Sequence, residues 1–171
     1  MANGLCQQLH TATRDWLQRA APLLRGHGRA EPAIEVRCNL RGKSAGQVRH
    51  QADGSLLIRY NLGIASLQPE AFLEQTVPHE VAHVVTWLLH GSRAKPHGRE
   101  WREVMAFFGR ATAARCHDFQ IPTDQQRRQR RWHYACDCRE HQLSTTRHRR
   151  IQQGGQYQCR LCGSLLRPAG A

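Results

Sequence analysis

The 171-residue chain has no apolar run of the length that a bilayer crossing needs, about 20 residues. Aromatic residues are scarce, at 6%, and only two of the 25 basic residues are lysines. The first twenty residues carry Arg14, Asp15 and Arg19 and no apolar h-region, so we expect neither a secretory signal nor a membrane partner. Because 40% of the residues are apolar, the chain can bury a core, which excludes a wholly disordered protein. We therefore expect a globular protein of the cytoplasm, or of the nucleus in a cell that has one.

The charge is strongly positive and unevenly distributed. Lys+Arg is 25 against 13 Asp+Glu, which gives a formal net charge of +12. Residues 123–171 hold ten arginines against three acidic residues, and a cluster of four arginines begins five residues after Pro122. Such a change in charge marks a change of module. We predict a first domain over residues 1–122 and a basic linker with a small module over residues 123–171.

The apolar spacing predicts an α+β fold for the first domain. Leucines at helical spacing predict an N-terminal helix that ends near Pro22. Short alternating runs then predict a small antiparallel sheet of about three strands, the middle one near Gln47 to His50. A long apolar helix should begin at Pro69 and end at Gly91, with a kink at Pro78.

The long predicted helix contains the pattern H-E-x-x-H, formed by His79, Glu80 and His83. Residues four apart lie on one helix face, so both imidazoles can reach one metal ion. Zinc binds imidazole nitrogen, and three protein ligands leave one position for water. The glutamate beside the first histidine is then placed to take a proton from that water. The pattern therefore predicts a catalytic zinc site with Glu80 as general base.

A catalytic zinc site of this kind needs a third protein ligand. We choose His97, because a loop that starts at Gly91 is long enough to return the chain to the metal. His90 is the nearest rival, on the same helix face as His83 but too far along the axis. A histidine at a helix end is more simply explained by the helix dipole.

Taken in order, these motifs resemble the SprT family of zinc proteins, whose relatives include the DNA-dependent protease Spartan of eukaryotes. The likeness extends over roughly residues 5–166 and implies a zincin-like minimal metalloprotease domain, with helices packed on a short antiparallel sheet, followed by a small zinc ribbon. It also implies His79, His83 and His97 as zinc ligands and Glu80 as catalytic base. Eukaryotic relatives cleave proteins crosslinked or tightly bound to DNA. The segments that carry the resemblance are Val77-Pro78, His79-Glu80-x-x-His83, His97-Gly98-Arg99-Glu100-Trp101 and Arg115-Cys116-His117-Asp118-Phe119.

Four of the seven cysteines lie within 27 residues near the C-terminus. They form a C-x-C pair and a C-x-x-C-G knuckle, the spacing of a structural zinc site: Cys136, Cys138, Cys159 and Cys162. A module of this size has too small a core to fold without such a site. A histidine could replace one cysteine of the C-x-C pair, the candidates being His133, His141 and His148. The isolated Cys6, Cys38 and Cys116 are predicted to be buried small apolar residues.

Arginines and one aromatic residue surround the cysteine module and predict contacts with nucleic acid. Arginine binds phosphate in a forked geometry, and an aromatic face can stack an unpaired base. No base-reading motif is present, so we expect DNA binding without sequence specificity, with single-stranded DNA as one option. The predicted contact residues are Arg127, Arg128, Arg130, Arg131, Trp132, Arg147, Arg149 and Arg150.

These features predict a zinc metallopeptidase with one catalytic and one structural Zn²⁺, stimulated by DNA and active on DNA-bound or DNA-crosslinked proteins, in a cytoplasmic or nucleoid-associated setting. Tyr60 and His117 are the two candidates for stabilising an oxyanion. The alternative is a nucleic-acid-binding adaptor in stress response or transcription without protease activity. A third reading is a peptidase unrelated to DNA. Glu80 favours an enzyme, because a purely structural metal site does not need it.

Overall fold

The computed structural model describes residues 2–30, 32–126 and 130–169. The chain divides into two compact units, Met1–Gln126 and Arg127–Ala171. The boundary placed after Pro122 from the sequence lies four residues earlier. Residues up to 126 belong with the first unit because the Gln125 side-chain oxygen accepts hydrogen bonds from the Asn61 amide at 2.8 Å and the Gly42 backbone N–H at 3.1 Å.

The first unit is a mixed α and β structure, as the sequence predicts. Its described α-helices and strands, in chain order, are α1 (Ala2–Gly26), β1 (Ile34–Arg37), β2 (Gly46–His50), β3 (Leu56–Tyr60), α2 (Leu62–Leu67), α3 (Pro69–His90) and α4 (Arg99–Phe107). The short helix α2 was not predicted. It begins where the Asn61 side chain accepts a hydrogen bond from the Ile64 backbone N–H, an ordinary N-cap.

The three strands form a sheet in the order β1-β3-β2. The prediction of an all-antiparallel sheet is wrong, because β1 and β3 are parallel and only β2 and β3 are antiparallel. The segment Gly46–His50 is the second strand in chain order, which confirms the predicted strand near Gln47 to His50, and it lies at an edge of the sheet. The central position of β3 agrees with its side chains, four of which are buried, whereas β2 has three half-buried residues followed by the exposed Arg49 and His50.

Helix α1 is longer than the sequence predicts and continues through Pro22 to Gly26. Proline lacks a backbone N–H, but Pro22 lies on the exposed face, while Leu24, two residues further on, is fully buried and packs the helix against the core. The helix ends where Gly28 adopts a φ of 66° and the Arg29 N–H bonds to the Leu24 carbonyl.

Helix α3 is the centre of the first unit and contacts α1, α4 and β2. It begins at Pro69 and is capped by Gly91, which confirms both predicted ends. Apolar side chains cover most of its surface and are buried, so every polar residue among them requires a reason for being there. Among the described residues, no helix has both the length and the apolar content that a bilayer crossing requires.

The second unit contains the strands β4 (Arg131–Ala135), β5 (Glu140–Ser144) and β6 (Arg167–Pro168) and the helix α5 (Thr145–Gln152). The strands form an antiparallel sheet in the order β5-β4-β6. Its buried residues are few among those described: Tyr134, Leu143 and Cys159. The helix α5 begins at Ser144, whose hydroxyl accepts a bond from the Arg147 N–H, and it carries three arginines.

The three isolated cysteines are not buried, contrary to the sequence prediction. Cys6 and Cys38 are joined by a disulfide and are both half-exposed. Cys116 is free and exposed. Periodicity could not predict the pairing, because 32 residues separate Cys6 on α1 from Cys38 after β1, and only the fold brings them together.

Candidate metal centres

The three predicted histidines converge on one point in the first unit. The Nε2 atoms of His79 and His83 are 3.2 Å apart, those of His83 and His97 are 3.1 Å apart, and those of His79 and His97 are 2.9 Å apart. Nitrogen ligands of a tetrahedral zinc ion at about 2.05 Å are about 3.3 Å apart. Each Nε2 atom is either a donor or an acceptor, so at least two of the three are of the same kind and one pair cannot form a hydrogen bond in any protonation state. Three lone pairs directed at one metal ion remove this conflict, so the three histidines fit a metal site.

Local backbone structure explains how His97 reaches the other two. His79 and His83 are one helical turn apart on α3. His97 precedes α4 and has a φ of 56°, a left-handed conformation that non-glycine residues seldom adopt. The Gly98 N–H bonds to the Lys95 carbonyl at 2.8 Å, and this tight turn directs the imidazole back towards α3. The rival His90 is not among the residues that converge here.

The Trp101 ring of α4 packs against all three imidazoles, a contact that the sequence analysis did not predict. Its ring centroid lies 4.8 Å from that of His79, 5.7 Å from that of His83 and 4.9 Å from that of His97. Its indole N–H points to the His79 carbonyl at 3.4 Å, and the side chain is 2% exposed. The sequence signals were its position four residues after His97 and its place in the segment His97-Gly98-Arg99-Glu100-Trp101 that resembles the SprT family.

The surroundings keep these imidazoles uncharged, which is the form that binds metal. Burial, helped by the charges of His97 and His117, lowers the pKa of His79 to about 4. Burial, helped by His79 and His97, lowers the pKa of His83 to about 3. Burial and the nearby Arg115 also lower the pKa of His97. Protons therefore do not compete with a metal ion at neutral pH.

Glu80 is buried beside the three histidines, with 6% of its surface exposed. Burial raises the pKa of its carboxyl group to about 8. Gly46 at the start of β2 leaves the space that this side chain occupies, because a Cβ atom there would lie 2.5 Å from Glu80 Oε1. The sequence analysis identified Glu80 but not Gly46.

An open cleft of about 1260 Å³ contains the histidines and Glu80. Strand β2, helix α3 and the segment 109–117 line it. Strand β2 leaves one backbone edge without a partner strand in the described sheet, because β3 pairs with its other edge.

The two residues considered for oxyanion binding differ in position. Tyr60 is fully buried, and its hydroxyl is 2.9 Å from Thr13 Oγ1, so it does not face the cleft. His117 lines the cleft and donates from Nε2 to the Lys43 carbonyl at 3.0 Å. Its Nδ1 is buried without a partner in the described residues. A neutral His117 therefore presents an acceptor at Nδ1 and cannot donate to an oxyanion from that atom.

The four clustered cysteines of the second unit lie together, with all four sulfur atoms within 4.8 Å of one another. Cys136 Sγ is 3.4 Å from Cys138 Sγ, which is 3.8 Å from Cys159 Sγ. In the knuckle, backbone N–H groups of Cys162 and Leu161 lower the pKa of Cys159 and favour its thiolate. Four thiolates around one point fit a closed tetrahedral zinc site.

The histidines considered as substitute ligands occupy different positions. His141 Nε2 lies 3.2 Å from Cys136 Sγ and can donate a hydrogen bond to that thiolate. His148 is bonded through Nδ1 to the Tyr134 hydroxyl at 2.9 Å and stacks on Trp132, so it is committed elsewhere. His133 is exposed on β4.

Of the residues predicted to contact nucleic acid, several arginines are exposed to solvent, whereas Trp132 is covered by neighbouring side chains. Arg130, Arg131 and the three arginines of α5 (Arg147, Arg149 and Arg150) are exposed, while Arg127 and Arg128 lie outside the described residues. The Trp132 ring is covered on both faces, by the Arg130 guanidinium 4.0 Å from its centroid and by the His148 ring at 3.5 Å. Both groups are too close to share a face, so a base could stack there only after Arg130 moves away.

Three imidazoles beside a buried carboxylate, together with a separate four-cysteine group, define a protein with two candidate metal centres. The SprT-like family model matches residues 10–126, which include the whole histidine site. The chain therefore belongs to the SprT-like family, as the resemblance implied.

Individual relatives agree with this assignment. Protein SprT of Erwinia tasmaniensis is 40% identical over 139 residues, which cover 81% of this chain and 76% of that protein. Protein SprT of Pseudomonas paraeruginosa is 34% identical over 167 residues, covering 96% of this chain and 92% of that protein. Protein SprT of Escherichia coli O157:H7 is 38% identical over 140 residues, covering 81% of each chain. No solved structure matches the chain significantly.

Proposed function

We propose that the protein is a zinc-dependent metallopeptidase of the SprT type that acts on DNA-bound or DNA-crosslinked proteins. His79, His83 and His97 hold the catalytic zinc ion, and the four cysteines hold a structural one. The first unit is then a zincin-like domain and the second a zinc ribbon. The observation that carries the proposal is the buried Glu80 carboxyl group, which borders an open cleft beside three converging imidazoles. Burying a carboxyl group costs free energy, and a purely structural metal site or an adaptor has no use for the group that would offset this cost.

The residues of the site support peptide hydrolysis. A zinc ion, when bound, acts as a Lewis acid on the peptide carbonyl and acidifies a water molecule. In its ionised form, which a neighbouring divalent cation would favour, Glu80 can accept the proton of the attacking water. Because burial favours the neutral carboxyl group, Glu80 can hold that proton and then pass it to the departing amine. Gly46 leaves room for the carboxyl group, and Trp101 keeps the imidazoles in place.

Strand β2 is the proposed binding edge for the substrate backbone. Gly46, Gln47 and Val48 line the cleft from this strand, whose outer edge is unpaired in the described sheet. An extended peptide can add to such an edge through main-chain hydrogen bonds. Main-chain recognition favours many sequences about equally, so we expect a loose cleavage preference.

The second unit is the proposed DNA-binding module. Five exposed arginines on β4, before it and on α5 can contact phosphates, which gives binding without sequence readout. Binding of DNA by this unit would bring the peptidase to proteins on DNA in a cytoplasmic, nucleoid-associated setting.

The decisive experiment compares wild type, Glu80→Gln and a matched control, Glu74→Gln, which changes an exposed glutamate of the same helix. Each zinc-loaded protein is incubated with a DNA-binding protein, with and without single-stranded DNA, and cleavage is followed on a gel. Zinc content is measured in parallel by mass spectrometry. We expect DNA-stimulated cleavage by wild type and Glu74→Gln, and its loss in Glu80→Gln with zinc retained.

Other outcomes select other functions. Tight DNA binding and full zinc content without cleavage by any variant would favour the nucleic-acid-binding adaptor. Cleavage that is insensitive to DNA, together with no DNA affinity, would indicate a peptidase unrelated to DNA.

A further inference from the structure

A third group of potential metal ligands lies at the N-terminal end of the first unit, formed by Cys6, His10 and Cys38. Cys6 and His10 are four residues apart on α1 and share one face of the helix. Cys38 follows β1, and its Cα lies 6.0 Å from that of Cys6. All three side chains are half-exposed, so both small ions and oxidants can reach them.

The chemistry of these residues allows two states that exclude each other. With both cysteines oxidised, Cys6 and Cys38 form a disulfide, whose sulfur atoms are not thiolate ligands. In this disulfide form the two sulfur atoms and one ring nitrogen of His10 lie within 4.8 Å of one another. Reduction would turn the two sulfur atoms into thiolate ligands beside that imidazole. Around a tetrahedral zinc ion two sulfur ligands are about 3.8 Å apart, which small side-chain rotations from this arrangement can reach.

His10 is the residue that distinguishes a metal site from a disulfide alone. A disulfide requires no histidine beside it, whereas two sulfur ligands and one imidazole are a ligand set that zinc commonly uses. Cys38 is partly buried against the core, but Cys6 and His10 are also partly exposed, so all three ligand atoms remain accessible to a small ion.

We propose that Cys6, His10 and Cys38 are a third, redox-dependent metal site, which binds a zinc-type divalent ion when both cysteines are reduced and releases it when they form the disulfide. Water completes the coordination, because three protein ligands leave one position open. The site is independent of the proposed peptidase function, since none of its residues lines the cleft.

The oxidation step needs a two-electron oxidant, and a peroxide is the chemical class that we name. The two thiolate sulfurs lose two electrons as the S–S bond forms. These electrons break the peroxide O–O bond, and with two protons the peroxide leaves as two hydroxyl products, two water molecules in the case of hydrogen peroxide. The metal ion leaves as the aqueous divalent ion, so charge and atoms balance. In a reducing compartment the thiolate state is the resting one.

Native mass spectrometry of the full chain tests the proposal, because it counts bound zinc ions and detects the loss of two hydrogens on disulfide formation. Wild type, His10→Ala and Cys38→Ser are each measured after reduction and after peroxide treatment. The matched controls are His27→Ala and Cys116→Ser, which change an exposed histidine and the exposed free cysteine of the same unit. The readout after reduction is the difference in zinc count between variants. After peroxide it is the loss of zinc from wild type minus the loss from His10→Ala, so release from the four-cysteine site cancels.

We expect reduced wild type and both controls to bind one zinc ion more than His10→Ala and Cys38→Ser. Mild peroxide should remove that ion from wild type as the disulfide forms. His10→Ala should still form the disulfide, which shows that it is folded at this point. An equal zinc count in reduced wild type and His10→Ala would overturn the proposal, and so would retention of the extra ion in the disulfide form.

Discussion

A methyl group on the Cα of Gly46 would lie 2.5 Å from Oε1 of Glu80 and equally close to its Cγ. The edge strand and the buried carboxyl group are therefore fitted to each other, and a larger residue at position 46 must displace Glu80. We predict that Gly46→Ala lowers the proposed peptidase activity by about 100-fold, because a misplacement of about 1 Å at a reacting group can have an effect of this size. Steady-state cleavage rates measure the loss.

Zinc content should remain unchanged in Gly46→Ala, since no histidine ligand is among the three nearest atoms to the added group. Gly4→Ala is the matched control, because a Cβ atom there meets nothing within 4 Å. Equal activity of Gly46→Ala and wild type would contradict the positional role of this glycine.

The free energy of unfolding of the metal-free protein should be largest near pH 6.5. The folded-state pKa values of His79 and His83 lie below 6.5, so the unfolded state gains protons first as the pH falls, and stability decreases down to about pH 4. The folded-state pKa of Glu80 lies above 4.5, so the folded state holds the extra proton and stability also decreases as the pH rises towards 8. Between pH 4.5 and 6.5 the two histidines make the stability rise with pH and Glu80 makes it fall. Two groups outweigh one, so the stability rises up to pH 6.5 and decreases above it.

Urea unfolding of chelator-treated protein between pH 5 and 8.5 tests this prediction. We expect a loss of about 2 kcal/mol between pH 6.5 and 8, from about 1.4 kcal/mol for each pH unit. In Glu80→Gln that alkaline decrease should disappear, while the acidic decrease remains. A decrease of the same size in Glu80→Gln would assign it to another group.

Removal of metal should affect the two units differently. The second unit buries only Tyr134, Leu143 and Cys159 among its described residues, so its fold should depend on the four-thiolate site. We predict that a chelator, or Cys159→Ser, unfolds this unit while the helices of the first unit persist. Amide resonances of residues 131–168 in a heteronuclear NMR spectrum should collapse to random-coil positions. Cys116→Ser, which changes a cysteine outside that group, should leave them in place.

Substitutions at Trp132 and at the arginines of α5 should have different effects, the first on the stability of the second unit and the second on its affinity for DNA. The indole is enclosed by Arg130 and His148, so Trp132→Ala should reduce the stability of the second unit, by about 1–3 kcal/mol. The double substitution Arg149→Ala and Arg150→Ala changes exposed side chains and should leave stability unchanged. It should weaken binding to single-stranded DNA and reduce the salt slope by about 0.7 for each lost phosphate contact.

Fluorescence anisotropy over a salt series, combined with thermal unfolding of each variant, tests these expectations. A folded Trp132→Ala protein of wild-type stability but low DNA affinity would instead favour direct stacking of a base on the indole. Unchanged affinity and salt slope in the arginine variant would remove α5 from the proposed DNA contact.

Residues fixed by regular spacing were predictable from the sequence. His79 and His83 follow from the helix period, and the ends of α3 follow from Pro69 and the Gly91 cap. His97 was inferred from the reach of a loop and from the resemblance to the SprT family, not from periodicity. Its positive φ is set by the turn that closes between Lys95 and Gly98, for which spacing gave no direct signal.

Features that arise from tertiary packing were not predictable in the same way. The parallel pairing of β1 with β3 depends on how the chain crosses the sheet, and strand periodicity carries no information on direction. The approach of Gly46 to Glu80 and the pairing of Cys6 with Cys38 join residues more than 30 positions apart. The enclosure of Trp132 likewise requires α5, which the sequence analysis did not foresee.

Trp101 underlies all three imidazoles at ring distances of 4.8 to 5.7 Å. An indole this close to imidazole rings loses fluorescence when they become charged and changes its emission when they are immobilised. The part of the tryptophan emission that Trp101→Phe removes should therefore report the filling of the histidine centre in real time, without a peptide substrate and without a label. The other three tryptophans supply the remaining emission.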